Sequence, residues 1–358
     1  MTMENLYPIY LQHPSVQTDT RKLQKGDLYF ALKGPNFNGN SFAQKALEQG
    51  AAFAIIDEAE YAIEGKTILV EDVLTTLQQL ALHHRRQFNI PFLAITGSNG
   101  KTTTKELIHA VLSTTFQTYT TEGNLNNHIG VPLTILKIKK DAEMAVIEMG
   151  ANHRKEIASY CVIEGDVIGT VVQSDPFLNV DFTKGISGEV NTSLVGAYNL
   201  PNMLAAVAVG KVFGVEEEKI KAAIANYTPS NSRSQLVQKG SNKIILDAYN
   251  ANPSSMKAAI DNFSKAEGQN KILVLGAMAE LGPESLAEHQ SIINEIGQHK
   301  WKAVLLVGGD FVRSNHSFLS FTKPEEAGEW LRQQNMQDAF LLVKGSRSMQ
   351  MEKVLNYL

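Results

Sequence analysis

The stretch Thr96-Gly97-Ser98-Asn99-Gly100-Lys101-Thr102-Thr103-Thr104 combines glycines, a lysine and a run of hydroxyls. That combination suits a phosphorylated ligand. Gly97 and Gly100 let backbone N–H groups turn inward around phosphate oxygens, and a helix beginning just after them adds a favourable dipole. Lys101 would neutralise the terminal phosphates of ATP, and the Thr102 hydroxyl would ligate Mg2+. Gly97, Ser98, Asn99, Gly100, Lys101, Thr102 and Thr103 are therefore the expected ATP contacts. The pattern is Gly-x-x-Gly-Lys-Thr, because Ile95 stands where the common eight-residue loop has its first glycine. An isolated Gly-Lys-Thr is more often an ordinary turn capped by its threonine, so the flanks decide. Residues 91–95 are an apolar run that predicts a buried strand, and Leu107, Ile108, Val111 and Leu112 share one face of a helix from about Lys101.

Magnesium on a triphosphate also takes a carboxylate, and an acid ending a neighbouring parallel strand can supply it. Residues 144–148 are apolar until they end on Glu148. Thr102 and Glu148 are thus the expected metal ligands, with Lys101 and Glu148 the expected catalytic residues. The competing reading of Glu148, taken without the loop, is a solvated strand-end acid.

A chain of 358 residues suits two or three domains at roughly 100–200 residues each. Three blocks emerge from changes in pattern: 1–84, 85–229 and 230–358. The first mixes a strand-like run at 27–32 with turn-rich residues 33–40. The third alternates strands at 243–247, 271–275, 303–307 and 339–343 with helices, which implies right-handed crossovers and a mostly parallel sheet. Ligands of such sheets sit at the carboxyl ends of the strands, which places Asp247 and Lys344 on a candidate functional edge. The fold class is α/β.

A formal net charge of -4 offers no broad positive field for nucleic acid. Neither an export signal nor a run of the ~18 apolar residues that can span a bilayer is found, so the expected location is the cytoplasm. The one cysteine, Cys161, excludes an internal disulfide and reads as a small buried structural residue.

Further segments accompany the loop. They are Gly123-Asn124-Leu125-Asn126-Asn127-His128-Ile129-Gly130-Val131-Pro132, Glu148-Met149-Gly150-Ala151-Asn152-His153 and Gly196-Ala197-Tyr198-Asn199-Leu200-Pro201-Asn202. Beyond these come Asp247-Ala248-Tyr249-Asn250-Ala251-Asn252-Pro253-Ser254-Ser255-Met256, Met278-Ala279-Glu280-Leu281-Gly282 with His289, and Val343-Lys344-Gly345-Ser346-Arg347. With Thr18-Asp19-Thr20-Arg21 at the start, the chain resembles the Mur ligase family over nearly its whole length.

The resemblance implies three domains: one for a UDP-sugar peptide, a central P-loop ATPase and a Rossmann-like domain for the incoming dipeptide. It implies ATP and Mg2+ as cofactors and joining of D-alanyl-D-alanine to a UDP-N-acetylmuramoyl tripeptide through an acyl phosphate, by a monomer. Thr20, Arg21, Lys33, Gly34 and Gly39 would lie near the UDP moiety, with turn formation the plainer role of each. Asn199 would approach the nucleotide, sharing that role with helix capping, while Asn202 stays open. Asp247, Asn250, Asn252, Lys344, Ser346 and Arg347 would meet nucleotide or dipeptide, with a surface ion pair the plainer role of Arg347.

The chain departs from the family where Tyr160-Cys161-Val162 runs into Glu164-Gly165-Asp166-Val167-Ile168-Gly169, so the central domain is shortened near 161–165. By the resemblance, the missing segment carries a histidine for a second metal and a carbamylated lysine, and no residue here takes either role. His153 reads as a surface or supporting histidine. Ala277 stands where related ligases carry an aspartate. Two alternatives stay open: a catalytically impaired or silent nucleotide-binding homologue, and another Mur-type amino-acid ligase.

Overall fold

The computed structural model describes residues 2–34, 36–97, 100–123, 125–150, 167–174, 177–229 and 233–358. Ser98, Asn99, His153, Cys161 and the junction near 161–165 lie outside the described residues. The chain divides into two compact units, Met1–Cys161 and Val162–Leu358.

The first unit opens with α1 (Met3–Gln12), β1 (Val16–Gln17), β2 (Leu28–Phe30), β3 (Lys33–Gly34), β4 (Phe37–Asn38), α2 (Ala43–Glu48), β5 (Phe53–Ile56), β6 (Thr67–Leu69) and α3 (Val73–Arg85). Strands β1, β2, β5 and β6 form one parallel sheet in that order. Both of its faces are covered, so β2 is buried throughout instead of alternating. Leu28 and Phe30 pack with Leu6 and Tyr10 of α1 and Leu77 and Leu80 of α3. Tyr29 packs with Ala43 and Ala46 of α2 on the other face.

Within the turn-rich stretch 33–40, β3 and β4 pair antiparallel, Lys33 with Asn38 and Gly34 with Phe37. The far end of the stretch is anchored by the fully buried Asn40. The Asn40 amide donates to Asp57 Oδ1 at 2.8 Å and its carbonyl accepts from the Asp57 N–H at 3.0 Å. A Cβ on Gly39 would fall 2.3 Å from the Leu32 carbonyl oxygen. Gly39→Ala is therefore expected to cost about 1–3 kcal/mol of stability, read as a lower urea midpoint at unchanged m-value.

The unit continues through β7 (Phe92–Ile95), α4 (Lys101–Leu112), β8 (Thr118–Thr120), α5 (Gly130–Leu136) and β9 (Met144–Glu148). These strands form a parallel sheet of order β7-β9-β8. The central strand β9 is buried along its whole length, and α4 buries Leu107, Ile108, Val111 and Leu112 as its periodicity predicts. The buried strand predicted at 91–95 differs: in β7, Ala94 is exposed and Phe92, Leu93 and Ile95 are half-buried. Among the described residues β7 pairs with β9 alone. An apolar run is the same in a central strand and at an edge, and only the neighbours decide how much of it is covered.

The buried imidazole of His84 and the half-buried one of His109 give this unit a pH dependence. His84 lies between the Tyr7 hydroxyl at 3.0 Å and the Ile138 carbonyl at 2.8 Å. Burial holds it below the ordinary imidazole value, the Ile138 carbonyl opposes this, and His83 adds slightly to it. His109, beside the Thr118 carbonyl, is lowered for the same leading reason. A folded-state value below the unfolded one means that the unfolded chain binds protons more avidly. Stability is then complete above the unfolded value of about 6.5 and falls as pH drops below it. Urea midpoints at pH 7.5 and 5.5 should show the loss, and His84→Gln with His109→Gln should flatten it.

The second unit begins with β10 (Ile168–Gln173), β11 (Asn179–Lys184) and β12 (Gly188–Asn191), an antiparallel meander that the sequence patterns do not announce. Helices α6 (Leu200–Val212) and α7 (Glu217–Asn226) follow. Next come β13 (Gln235–Lys239), β14 (Asn242–Asp247), α8 (Pro253–Lys265), β15 (Lys271–Gly276), α9 (Ser285–Ile296), β16 (Ala303–Val307), β17 (Leu319–Phe321), α10 (Pro324–Gln333) and β18 (Phe340–Lys344). They build a sheet of order β13-β14-β18-β15-β16-β17, parallel except for β13. This is the parallel sheet that the alternation predicts, extended by β13 and β17. After β18 the chain runs through a 3-10 helix, Met351–Tyr357.

Candidate functional site

Strand β7, the glycine loop and α4 follow one another as the phosphate reading requires, and Ile95 pairs with Glu148 across β7 and β9. Gly97 has φ 143° and Gly100 φ 75°. The second is a left-handed value that favours glycine, and it turns the chain directly into α4. Gly100, not Thr102, holds the N-cap position. Thr102, 4% exposed, instead donates its hydroxyl to Glu148 Oε2 at 2.6 Å. Lys101 opens the helix and its Nζ donates to the Gly97 carbonyl at 2.7 Å. Thr103 sits half-buried in the first turn.

Glu148 is 1% exposed, so it is no solvated strand-end acid. Its Oε1 accepts from the Asn126 amide at 2.7 Å and its backbone N–H donates to the Thr121 hydroxyl at 2.9 Å. The Thr102 hydroxyl and this carboxylate are an all-oxygen donor pair, the chemistry Mg2+ takes. Among the described residues no group of three or more His, Cys, Asp or Glu gathers. A Mg2+ held by this pair would take its remaining oxygens from nucleotide and water. Among the described residues the buried Thr96 hydroxyl, next to Gly97, has no hydrogen-bond partner. A buried donor left open beside the loop suits a phosphate oxygen. The residues present fit ATP with Mg2+.

The expected UDP contacts are partly engaged with neighbours. Thr20 and Arg21 lie in a 3-10 turn whose cap, Asp19, accepts the Arg21 N–H at 3.0 Å and its guanidinium at 2.7 Å. Those bonds pull the Asp19 carboxyl down to about 2. Lys33 Nζ lies 3.1 Å from Asp57 and 3.5 Å from Glu58. Gly34 admits the Phe37 ring, where a Cβ would approach it to 2.4 Å.

In the second unit, Asp247 and Lys344 end the paired strands β14 and β18 in register. Lys344 is 2% exposed, and its ammonium donates to Asp247 Oδ2 and, at 3.2 Å, to the Asn250 carbonyl. Asp247 Oδ1 accepts the Ser234 N–H at 3.2 Å. Ser346, also buried, donates its hydroxyl to the Ala277 carbonyl at 2.6 Å. Asn252 caps α8 in a reciprocal box with Ser255, and Arg347 forms an exposed pair with Glu352 at 2.8 Å, its plainer role. Asn199, 4% exposed, stands at the N-cap position of α6 without a side-chain cap bond. Its amide instead donates to the Val195 carbonyl and accepts from Asn202, each at 2.9 Å. The structure thus brings Asp247, Asn250 and Lys344 together and sets Arg347 on a separate contact.

Asn126 lies within the segment 123–132, whereas Thr121 and Lys105 lie outside every motif named above. All three converge on Glu148 or its immediate support. The signal for Lys105 was available: a lysine three residues after Thr102 falls on the same, otherwise buried, helix face.

A glycine-bounded loop between a parallel strand and a helix, backed by a buried strand-end carboxylate, defines an α/β protein of the phosphate-loop type. Three family descriptions match in order: Mur ligase family, catalytic domain, at 14–85; Mur ligase middle domain at 95–167; and Mur ligase, glutamate ligase domain, at 232–347. The UDP-N-acetylmuramoyl-tripeptide--D-alanyl-D-alanine ligase of Bacillus subtilis is 31% identical over 430 residues, covering 96% of this chain and 92% of that one. Its Escherichia coli counterpart is 31% identical, covering 96% and 93%. A crystal structure of MurF from Acinetobacter baumannii superposes with a TM-score of 0.82 at 27% identity, covering 96% and 92%. The chain belongs to the Mur ligase family. It is an ATP-dependent, peptide-bond-forming ligase of three-domain α/β architecture, with a P-loop central sheet and a Rossmann-like C-terminal domain. The match to the Bacillus subtilis relative spans 430 positions, more than the 358 residues of this chain, so part of it is gapped on this side.

Proposed function

We propose that this chain joins the amine of D-alanyl-D-alanine to the terminal carboxylate of a UDP-N-acetylmuramoyl tripeptide, in peptidoglycan precursor synthesis. The observation that carries it is the 2.6 Å contact between the Thr102 hydroxyl and the buried Glu148, at the helix end that follows the glycine loop. The relatives' printed names supply the substrates. We assign the domains to 1–84 for the UDP precursor, 85–229 for ATP and 230–358 for the dipeptide. The protein works as a cytoplasmic monomer; among the described residues no helix is long and apolar enough to cross a membrane.

A carboxylate resists attack by an amine. Transfer of the γ-phosphoryl group from ATP to the carboxylate oxygen releases ADP and leaves an acyl phosphate. The amine then attacks the carbonyl carbon, the C–O bond to phosphate breaks, and the amine loses a proton as inorganic phosphate leaves. For the first step the chain supplies alignment and charge. Lys101 neutralises the transferring group, and the loop N–H groups hold the phosphates in line. Thr102 and Glu148 would hold Mg2+, which would offset the negative charge of the phosphates. Thr20, Arg21, Lys33, Gly34 and Gly39 would border the UDP group. Asn199 would serve the nucleotide, and Asp247, Asn250, Asn252, Lys344, Ser346 and Arg347 the nucleotide or dipeptide.

The test is phosphate release with ATP, the UDP-muramoyl tripeptide and D-alanyl-D-alanine. Release that requires both peptide substrates, with a matching UDP-pentapeptide product, is the expected result. ATP binding without dipeptide-dependent release would overturn the proposal and favour a nucleotide-binding role.

A further inference from the structure

We propose that Lys105 is a positioning residue for Glu148, acting through Thr121 to hold the strand-end carboxylate where the metal-bound nucleotide needs it. The inference rests on the reading of Glu148 as a metal ligand.

Lys105 is 2% exposed in the second turn of α4. A lysine so placed is rare, because desolvating an ammonium is costly and an apolar residue would fill the space at less expense. Here the charge has a polar task. Its Nζ donates to the Thr121 carbonyl at 2.6 Å. Thr121, fully buried, donates its N–H to the Val146 carbonyl at 3.2 Å and accepts the Glu148 N–H on its hydroxyl at 2.9 Å. From three residues earlier on the same helix, Thr102 reaches the Glu148 carboxylate directly.

One helix therefore holds the end of β9 at two points: the carboxylate through Thr102 and the main chain through Lys105 and Thr121. Because α4 begins at the phosphate loop, the two tethers fix the acid relative to the loop itself. Removing the second leaves the ligand present but less well placed, a loss that falls on metal affinity more than on nucleotide contacts.

Equilibrium binding of a fluorescent ATP analogue to the full chain, titrated with Mg2+ and repeated in EDTA, tests this. Lys105→Met keeps the stem and removes the donor. It should raise the Mg2+ needed for half-maximal binding about tenfold, while binding in EDTA stays near wild type. Thr121→Val should do the same and Thr121→Ser should not. The double variant should be no worse than the worse single one, as expected of residues in one chain of contacts.

Equal weakening with and without Mg2+ in Lys105→Met would show a merely structural lysine and overturn the proposal. So would wild-type Mg2+ dependence in Thr121→Val, which decides the matter even if Lys105→Met fails to fold. Glu148→Gln separates the two levels. If it leaves the Mg2+ dependence unchanged, the reading of Glu148 itself falls. If it shifts the dependence and Lys105→Met does not, only the role of Lys105 falls.

Discussion

Lys101→Ala should weaken ATP binding by about tenfold to a hundredfold, the loss of one or two charge-assisted hydrogen bonds. Phosphate release should fall further, by roughly 1,000-fold, because charge on the transferring phosphoryl group is concentrated in the transition state. The fold should not suffer. Lys101 is only half-buried at the start of α4, and its bond to the Gly97 carbonyl lies within the loop itself. Circular dichroism melting should therefore be near wild type while a fluorescent ATP titration shifts. An unchanged ATP affinity would remove the lysine from the phosphate site.

Lys344→Met should lower stability by about 3 kcal/mol, since it leaves the Asp247 carboxylate without its buried counter-ion. In a unit of this size that corresponds to a melting temperature roughly 6–12 °C lower. The geometry sets the magnitude: the ammonium is 2% exposed and ties two adjacent parallel strands at their carboxyl ends while also bonding the Asn250 carbonyl. Adding Asp247→Asn removes the stranded charge, keeps an acceptor for the Ser234 N–H, and should recover part of the loss. A single variant that melts like wild type would show that the pair contributes nothing net. Recovery of stability without recovery of activity would separate the pair's structural task from its proposed contact with substrate.

The order strand, loop, helix was legible because each piece has a local cause. Apolar residues mark the strand, glycines the turn, and the spacing of Leu107, Ile108, Val111 and Leu112 the helix. The strand ending on Glu148 was legible for the same reason. Other features were not. The exposed flank of β7 depends on which strands lie beside it, and the meander of β10 to β12 contains no run long or regular enough to announce itself. The roles of Asn126, Thr121 and Lys105 depend on residues 16 to 27 positions away in the chain.

Sequence alone determined the strand, loop and helix around the phosphate site, the strand-helix alternation of the last block and the residue types able to grip a phosphate, because periodicity, turn chemistry and motif spacing are local properties of a chain. Only the tertiary structure decided which groups are buried and what each one touches. It buried the strand-end carboxylate of Glu148 against Thr102 and Asn126, paired Lys344 with Asp247 and set Lys105 against Thr121 beneath the site. Burial and pairing arise from neighbours distant in the chain, and no local pattern encodes their identity.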